Sequence, residues 1–263
     1  MLLYDKNQVM IPDISESYGI YDSICLPIDV YLPKVKNHNN RIAIVNIHGG
    51  GWTTGVTASS VWNGGDMVHQ ARYFSTLGYV GIVISYRSIK NENTDIMDLI
   101  CDCCKAVRYI KTNYDFIDGD KLVLMGDSAG AHLATCLGIS SDDSVRPAIV
   151  IACNPVLDCR KRFSYASTIH ENCIKATPLL QSPSKCARFL IMNGDEDQVT
   201  PLSTAMEFHE RLKMLQFDSE LMVLRGCKHA FILFNYISED KDVIAYMSMV
   251  DTYLQKKLKL KEL

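Results

Sequence analysis

The segment Gly126-Asp127-Ser128-Ala129-Gly130 sets a serine among small residues, directly after the apolar run Leu122 to Met125 and directly before a helical pattern that opens at Ala129. In a G-x-S-x-G turn between strand and helix, the sharp bend points the hydroxyl into a site, and small neighbours let main chain approach closely. The new helix also turns its N-terminal amides toward developing negative charge. This is the setting of a nucleophilic serine. The five letters alone fit an ordinary Gly-rich connection equally well. The strand before, the helix after and a second Gly-rich motif upstream single out Ser128, whereas Ser85 and Ser140 lack that arrangement.

The upstream motif is His48-Gly49-Gly50-Gly51-Trp52, immediately after the apolar run Ile42 to Ile47. Acyl transfer needs backbone donors around an oxygen that becomes negative, and consecutive glycines let a carbonyl group lie against main chain. Gly50 and Gly51 are the expected donors, with the amide of Ala129 completing the oxyanion site. A nucleotide-binding loop is a poor alternative, because Gly49 to Gly55 lacks the G-K-[S/T] ending that holds phosphate and magnesium. His48 fits a loop-orienting hydrogen bond, and Trp52 fits either a wall of the substrate pocket or the core.

A hydroxyl nucleophile needs a base, and the base needs a carboxylate to hold its useful tautomer. The run Phe189 to Met192 leads into Asn193-Gly194-Asp195-Glu196-Asp197-Gln198-Val199-Thr200-Pro201, and the run Glu220 to Leu224 into Arg225-Gly226-Cys227-Lys228-His229-Ala230-Phe231. Loops at neighbouring strand ends meet over one sheet edge. His229 is the expected base. Asp197 is favoured as its partner, with Asp195 and Glu196 still in competition. His132 lies on the helix beyond the elbow and reads as a packing or locally hydrogen-bonded residue.

Positioning these loops requires a sheet. Strand patterns at Ile24 to Tyr31, Ile42 to Ile47, Val80 to Ser85, Leu122 to Met125, Ala148 to Ala152, Phe189 to Met192 and Glu220 to Leu224 alternate with helical ones. This predicts a mostly parallel central sheet with helices on both faces. Helices are expected over about Asp66 to Leu77, Ala129 to Gly138, Leu202 to Leu215 and Asp242 to Leu258. Another buries Ile96, Leu99, Ile100, Cys103, Val107 and Ile110, with Asp98, Asp102, Lys105 and Lys111 on its more polar positions. Pro155 to Lys185 mixes Cys, Ser, Pro and charge without a long period, and reads as a small cap or cover on a single domain spanning residues 1–263.

These motifs resemble the hormone-sensitive-lipase-like group of α/β-hydrolases, especially its small esterases and carbohydrate acetylesterase-like members. The resemblance extends over most of residues 20 to 235, including Tyr86-Arg87 and Asp102 with Ala106, Val107 and Arg108. It implies an α/β-hydrolase fold with a minimal cap. It also implies Ser128, Asp197 and His229 as a triad, with Gly50, Gly51 and Ala129 as oxyanion donors. Asp197 rather than Asp195 matches the family aspartate ahead of the V-x-P ending. Lys228 departs from the pattern, replacing the usual small residue before the catalytic histidine, and the N-terminal part is short for members that build a lid there.

The implied reaction is hydrolysis of a small-molecule ester with a short acyl group, extending to acetylated carbohydrates, without metal or other cofactor. A kynurenine-formamidase-like amide hydrolase is the nearest rival, since that group resembles this chain in Ser128-Ala129-Gly130-Ala131-His132-Leu133 and in a Gly-rich oxyanion loop. A hydrolase-fold scaffold without turnover is the rival from another class. The formal net charge of −3 offers no broad attraction for nucleic acid. No apolar run approaches membrane-spanning length and no signal-peptide core precedes the first strand, so cytoplasmic residence is the expectation. The ten cysteines read as structural thiols, with Cys101 and Cys104 assigned to core packing instead of a metal. Oligomeric state has no signature in the sequence.

Overall fold

A computed structural model describes residues 11–258 apart from 22, 38, 40, 55–66, 161–166 and 235–236. Its strands are β1 (Ile14–Tyr21), β2 (Ile24–Tyr31), β3 (Ala43–Ile47), β4 (Val80–Ile84), β5 (Val123–Asp127), β6 (Ile149–Cys153), β7 (Arg188–Gly194) and β8 (Ser219–Leu224). They form one sheet in the order β1-β2-β4-β3-β5-β6-β7-β8. β2 runs antiparallel to β1 and β4, and the remaining pairings are parallel. The central strands β3 to β6 are buried at every residue, as their predominantly apolar sequences require of a sheet covered on both sides.

The helices are α1 (Val68–Thr76), α2 (Ile96–Asn113), α3 (Ala129–Gly138), α4 (Ser167–Lys175), α5 (Leu202–Met214) and α6 (Asp240–Lys257). Alternate residues of each strand feed opposite cores. Leu124, Val150 and Ile191 pack with Leu99, Val107 and Leu133 of α2 and α3 and with Phe208 of α5. Met125, Ile151 and Leu190 pack with Phe74 of α1 and with Val243, Met247 and Val250 of α6. α2 starts on a reciprocal cap, in which Asp95 accepts from the amides of Met97 and Asp98 while the Asp98 carboxylate accepts from the Asp95 amide.

Several local expectations change. β1 has no counterpart in the sequence reading, because Ser15, Glu16, Ser17 and Gly19 interrupt its apolar pattern and an edge strand buries little. Asp102, assigned to a polar position on α2, is fully buried and takes a paired hydrogen bond from Arg87 through Nε (2.8 Å) and Nη2 (2.9 Å). Cys101 is exposed, whereas Cys104 is half-buried and packs against the core beside the buried Cys103. Cys101 misses the core face of α2 by its helical phase. Among its described residues, the stretch 155–185, expected as a small cover, contains α4 and a short 3-10 turn at Pro178–Leu180. The expected start of the first helix at Asp66 lies outside the described residues.

Candidate active site

The loops leaving the C-terminal ends of β3, β5, β6, β7 and β8 gather at one edge of the sheet. Ser128 follows β5 with φ +52° and ψ −113°, in a region that non-glycine residues rarely enter. Its amide donates to the carbonyl of Cys153 (3.0 Å) and its carbonyl accepts from the amides of His132 (3.0 Å) and Val156 (3.4 Å). The surroundings thus hold the strained turn from both sides. Gly130 is required by crowding: a Cβ there would run into the carbonyl oxygens of Ile47 and His48.

His229 lies between the two other expected residues. Its Nδ1 is 2.8 Å from Asp197 Oδ2 and its Nε2 is 2.9 Å from Ser128 Oγ. Asp197 is nearly buried, and its Oδ1 accepts from the amides of Val199 and Thr200, both at 2.8 Å. Its Oδ2 also accepts from the Thr200 hydroxyl (2.8 Å). Burial raises the Asp197 carboxyl, but hydrogen bonds from His229 and Thr200 outweigh it and hold the group below the usual carboxylate range. An ionised acceptor at Nδ1 fixes the proton there, leaving Nε2 to accept from Ser128. Asp195 is exposed and instead accepts from the Gly226 amide (2.7 Å), pinning the turn after β8. Glu196 is exposed as well.

Gly50 and Gly51 have φ of +98° and +62°. Among the described residues, the amides of Gly50, Gly51 and Ala129 donate to no intramolecular acceptor. The loop carrying the glycines is fastened from below. His48 stacks on Tyr86 with ring centroids 4.3 Å apart, and its Nδ1 lies 2.8 Å from the Gly49 carbonyl. Tyr86 donates its hydroxyl to the His48 carbonyl (2.7 Å). Trp52 is 2% exposed, and its indole N–H donates to His132 Nδ1 (3.2 Å). It therefore sits in the core and anchors the loop.

Because Nδ1 of His132 accepts, its Nε2 carries the proton and donates to the Ala176 carbonyl (2.6 Å). This neutral ring joins α3, the glycine loop and the 155–185 stretch. Burial pushes its pKa down to about 4 from 6.5. The unfolded chain then binds this proton before the folded one does. The stabilisation is complete above about pH 6.5 and is lost as pH falls toward about 4. Urea denaturation at pH 7.0 and 4.5 should show a smaller acid loss in His132→Gln than in the parent; equal losses would remove His132 from the acid limb.

Three contributors escaped the sequence reading. By sequence Tyr86 reads as framework, Thr200 is outweighed by the acidic residues before it, and Asn154 carries no motif. A polar residue directly after the apolar strand β6 was the available signal for Asn154. Beside His229 and Asp197 lies a cavity of about 510 Å³ whose other lining residues are Asp195, Glu196, Gln198, Val199 and Lys228. Among the described residues there is no group of three or more His, Cys, Asp or Glu side chains that could hold a metal ion. No helix among them is long and apolar enough to cross a membrane.

A mixed eight-stranded sheet with helices on both faces and a serine elbow after its fifth strand defines an α/β-hydrolase fold. Residues 28–168 match the family model BD-FAE, and the chain belongs to this α/β-hydrolase-fold esterase family. Among solved structures, the apo form of Thermogutta terrifontis esterase 2 superposes with a TM-score of 0.79 at 24% identity, covering 98% of this chain and 100% of that one. The propionate-bound form of that planctomycete enzyme gives 0.77 at 25% identity, with 95% and 96% covered. Isoprenylcysteine alpha-carbonyl methylesterase ICME of Arabidopsis thaliana is 27% identical over 111 residues, which are 41% of this chain and 24% of that protein. The non-reducing polyketide synthase Preu6 of Preussia isomera is 29% identical over 137 residues, 49% of this chain and 6% of the synthase. The chain thus spans less than a quarter of the length of either curated relative.

Proposed function

We propose that the protein is a serine-dependent carboxylic ester hydrolase for short-acyl substrates, with Ser128, His229 and Asp197 as its triad and Gly50, Gly51 and Ala129 as its oxyanion donors. The observation that carries this reading is the continuous relay from Ser128 Oγ through both nitrogens of His229 to Asp197 Oδ2, at 2.9 and 2.8 Å. Ser128 Oγ attacks the ester carbonyl as His229 Nε2 takes its proton, and the carbonyl oxygen becomes negative before the donor amides. Collapse of the tetrahedral species breaks the bond to the alcohol oxygen, which takes the proton back from His229. Water, deprotonated by His229, then cleaves the acyl-serine ester and restores the hydroxyl. A complete relay beside amides that have no acceptor among the described residues weighs against a scaffold without turnover.

The short-acyl preference is supported by the structural neighbour from T. terrifontis, described with propionate and with butyrate bound. The finer placement, in the hormone-sensitive-lipase-like group and its carbohydrate acetylesterase-like branch, rests on the glycine-loop and elbow motifs. A polar alcohol fits the cavity at His229: the departing oxygen must approach Nε2, and Glu196, Gln198 and Lys228 line the adjoining space. We take the 155–185 stretch as a minimal cover, held through Ala176.

A well-buried methylene contributes about 0.8 kcal/mol, roughly fourfold in specificity, so an acyl trench would declare itself along a chain-length series. Measured as kcat/KM with one shared alcohol, acetyl or butyryl esters should exceed octanoyl and palmitoyl esters. A maximum at octanoyl or longer would overturn the short-acyl reading. Turnover of simple acetates with none of acetylated sugars would remove the carbohydrate part, and N-formylkynurenine outpacing every ester would favour an amide hydrolase.

A further inference from the structure

Asn154 is fully buried, directly follows β6 and has φ +38°. Asparagine is among the few non-glycine residues that tolerate positive φ, but that tolerance alone does not explain its contacts. The Asn154 Nδ2 donates to Asp127 Oδ1 (2.9 Å), and its Oδ1 accepts from the Ala230 amide (3.2 Å). Its carbonyl lies 3.1 Å from the Thr200 hydroxyl oxygen, and its amide donates to the Met192 carbonyl (2.7 Å). Asp127 is the residue before Ser128, Ala230 the residue after His229, and Thr200 a hydrogen-bond partner of Asp197.

We infer that Asn154 is a positioning residue that sets the separation of Ser128 and His229 by bridging their chain neighbours through the two ends of one side-chain amide. This rests on the triad reading above. The bridge needs a donor at one end and an acceptor at the other, because Asp127 offers a carboxylate and Ala230 an N–H. Asparagine supplies both in a short side chain. Alanine supplies neither and leaves a buried carboxylate and a buried amide unsatisfied, while the elbow and the His229 loop lose their tie. Aspartate keeps the acceptor for Ala230 but sets a second carboxylate against Asp127. Burial already pushes Asp127 up to about 6, with His229 and the Asn154 amide lowering it and Asp197 raising it.

Two carboxylates at this spacing share one proton below their joint titration, and the shared O–H then restores the missing donor. Exchanging the pair offers a second restoration. In Asp127→Asn combined with Asn154→Asp, the new amide at 127 donates to the new carboxylate at 154, whose other oxygen still accepts from Ala230. Both bonds survive, the one between 127 and 154 with its polarity reversed.

The test compares the wild type, Asn154→Ala, Asn154→Asp and the exchanged pair in kcat and KM from pH 5.5 to 8.5, with Ser128→Ala as control and thermal melts to verify folding. Misplacing reacting groups by about 1 Å costs roughly a hundredfold, so Asn154→Ala should lose about that in kcat with KM little changed. Asn154→Asp should be comparably impaired at pH 8.5 and gain on the wild type as pH falls. The exchanged pair should recover most of kcat at pH 8.5. Folded Asn154→Ala with wild-type kcat, or an exchanged pair no better than Asn154→Asp, would overturn the inference. If Asn154→Ala does not fold, the exchanged pair decides. A wild type no more active than Ser128→Ala would instead sink the esterase reading.

Discussion

Ser128→Ala is expected to abolish ester turnover and to leave the protein unlabelled by a fluorophosphonate that adds one adduct to the wild type. Loss of a nucleophile in a serine triad costs about six orders of magnitude in kcat in the best-studied protease case. A serine that merely filled a tight turn would cost activity only through misfolding. The structure favours the first outcome because the hydroxyl is already engaged with His229 Nε2 at 2.9 Å. Alanine keeps the same backbone demands as serine, so the held turn between Cys153 and Val156 should survive. Intact-mass measurement after probe treatment, with a melt to show that the variant is folded, is sufficient. An adduct that persists on the variant would place the nucleophile at another residue, and unchanged turnover would remove Ser128 from the chemistry.

How far such a site can be read from residues alone depends on whether its parts lie next to each other in the chain. Ser128, Gly50, Gly51 and His229 each sit in a short loop bounded by an apolar strand, so local pattern and strand-end geometry locate them together. The strands themselves were legible for the same reason: β3 to β6 are buried on both faces and read as predominantly apolar runs, in which only Asn46 and Asp127 are polar. β1 was not, since an edge strand answers to one neighbour and tolerates Ser, Glu and Gly. Asn154 was invisible for a different reason. Its partners Asp127, Thr200 and Ala230 come from three other segments, and only the folded sheet brings those loops to one point. Trp52 and His132 are similar, each compatible with several roles until an 80-residue separation closes into one hydrogen bond. Asp102 reads as a polar position by residue type, and its burial is tolerated only once Arg87 arrives from beyond the end of β4.

The choice among Asp195, Glu196 and Asp197 is where residue type runs out, because all three are acidic and lie within one turn. Geometry separates them, and the separation yields the sharpest contrast between two substitutions of identical chemistry. In Asp197→Asn the side-chain oxygen is claimed at the Oδ1 position, where the amides of Val199 and Thr200 both donate at 2.8 Å. The new NH2 is thereby forced into the Oδ2 position, facing His229 Nδ1. There it donates where the carboxylate accepted, moving the ring proton to Nε2 and depriving Ser128 of its base. A wrong-tautomer histidine of this kind costs about four orders of magnitude in kcat. In Asp195→Asn the side-chain oxygen can still accept from the Gly226 amide, so the turn after β8 keeps its bond and kcat should stay within about threefold, as expected for an exposed side chain that is hydrogen-bonded to none of the triad. Both variants should be measured with the preferred short-acyl ester near neutral pH, alongside melting temperature, since Asp197 also organises the Val199 and Thr200 backbone. A loss in Asp195→Asn that exceeds the loss in Asp197→Asn would overturn the assignment of the acid. Equal losses in folded proteins would show that the loop, and not the carboxylate facing His229, is what the reaction requires.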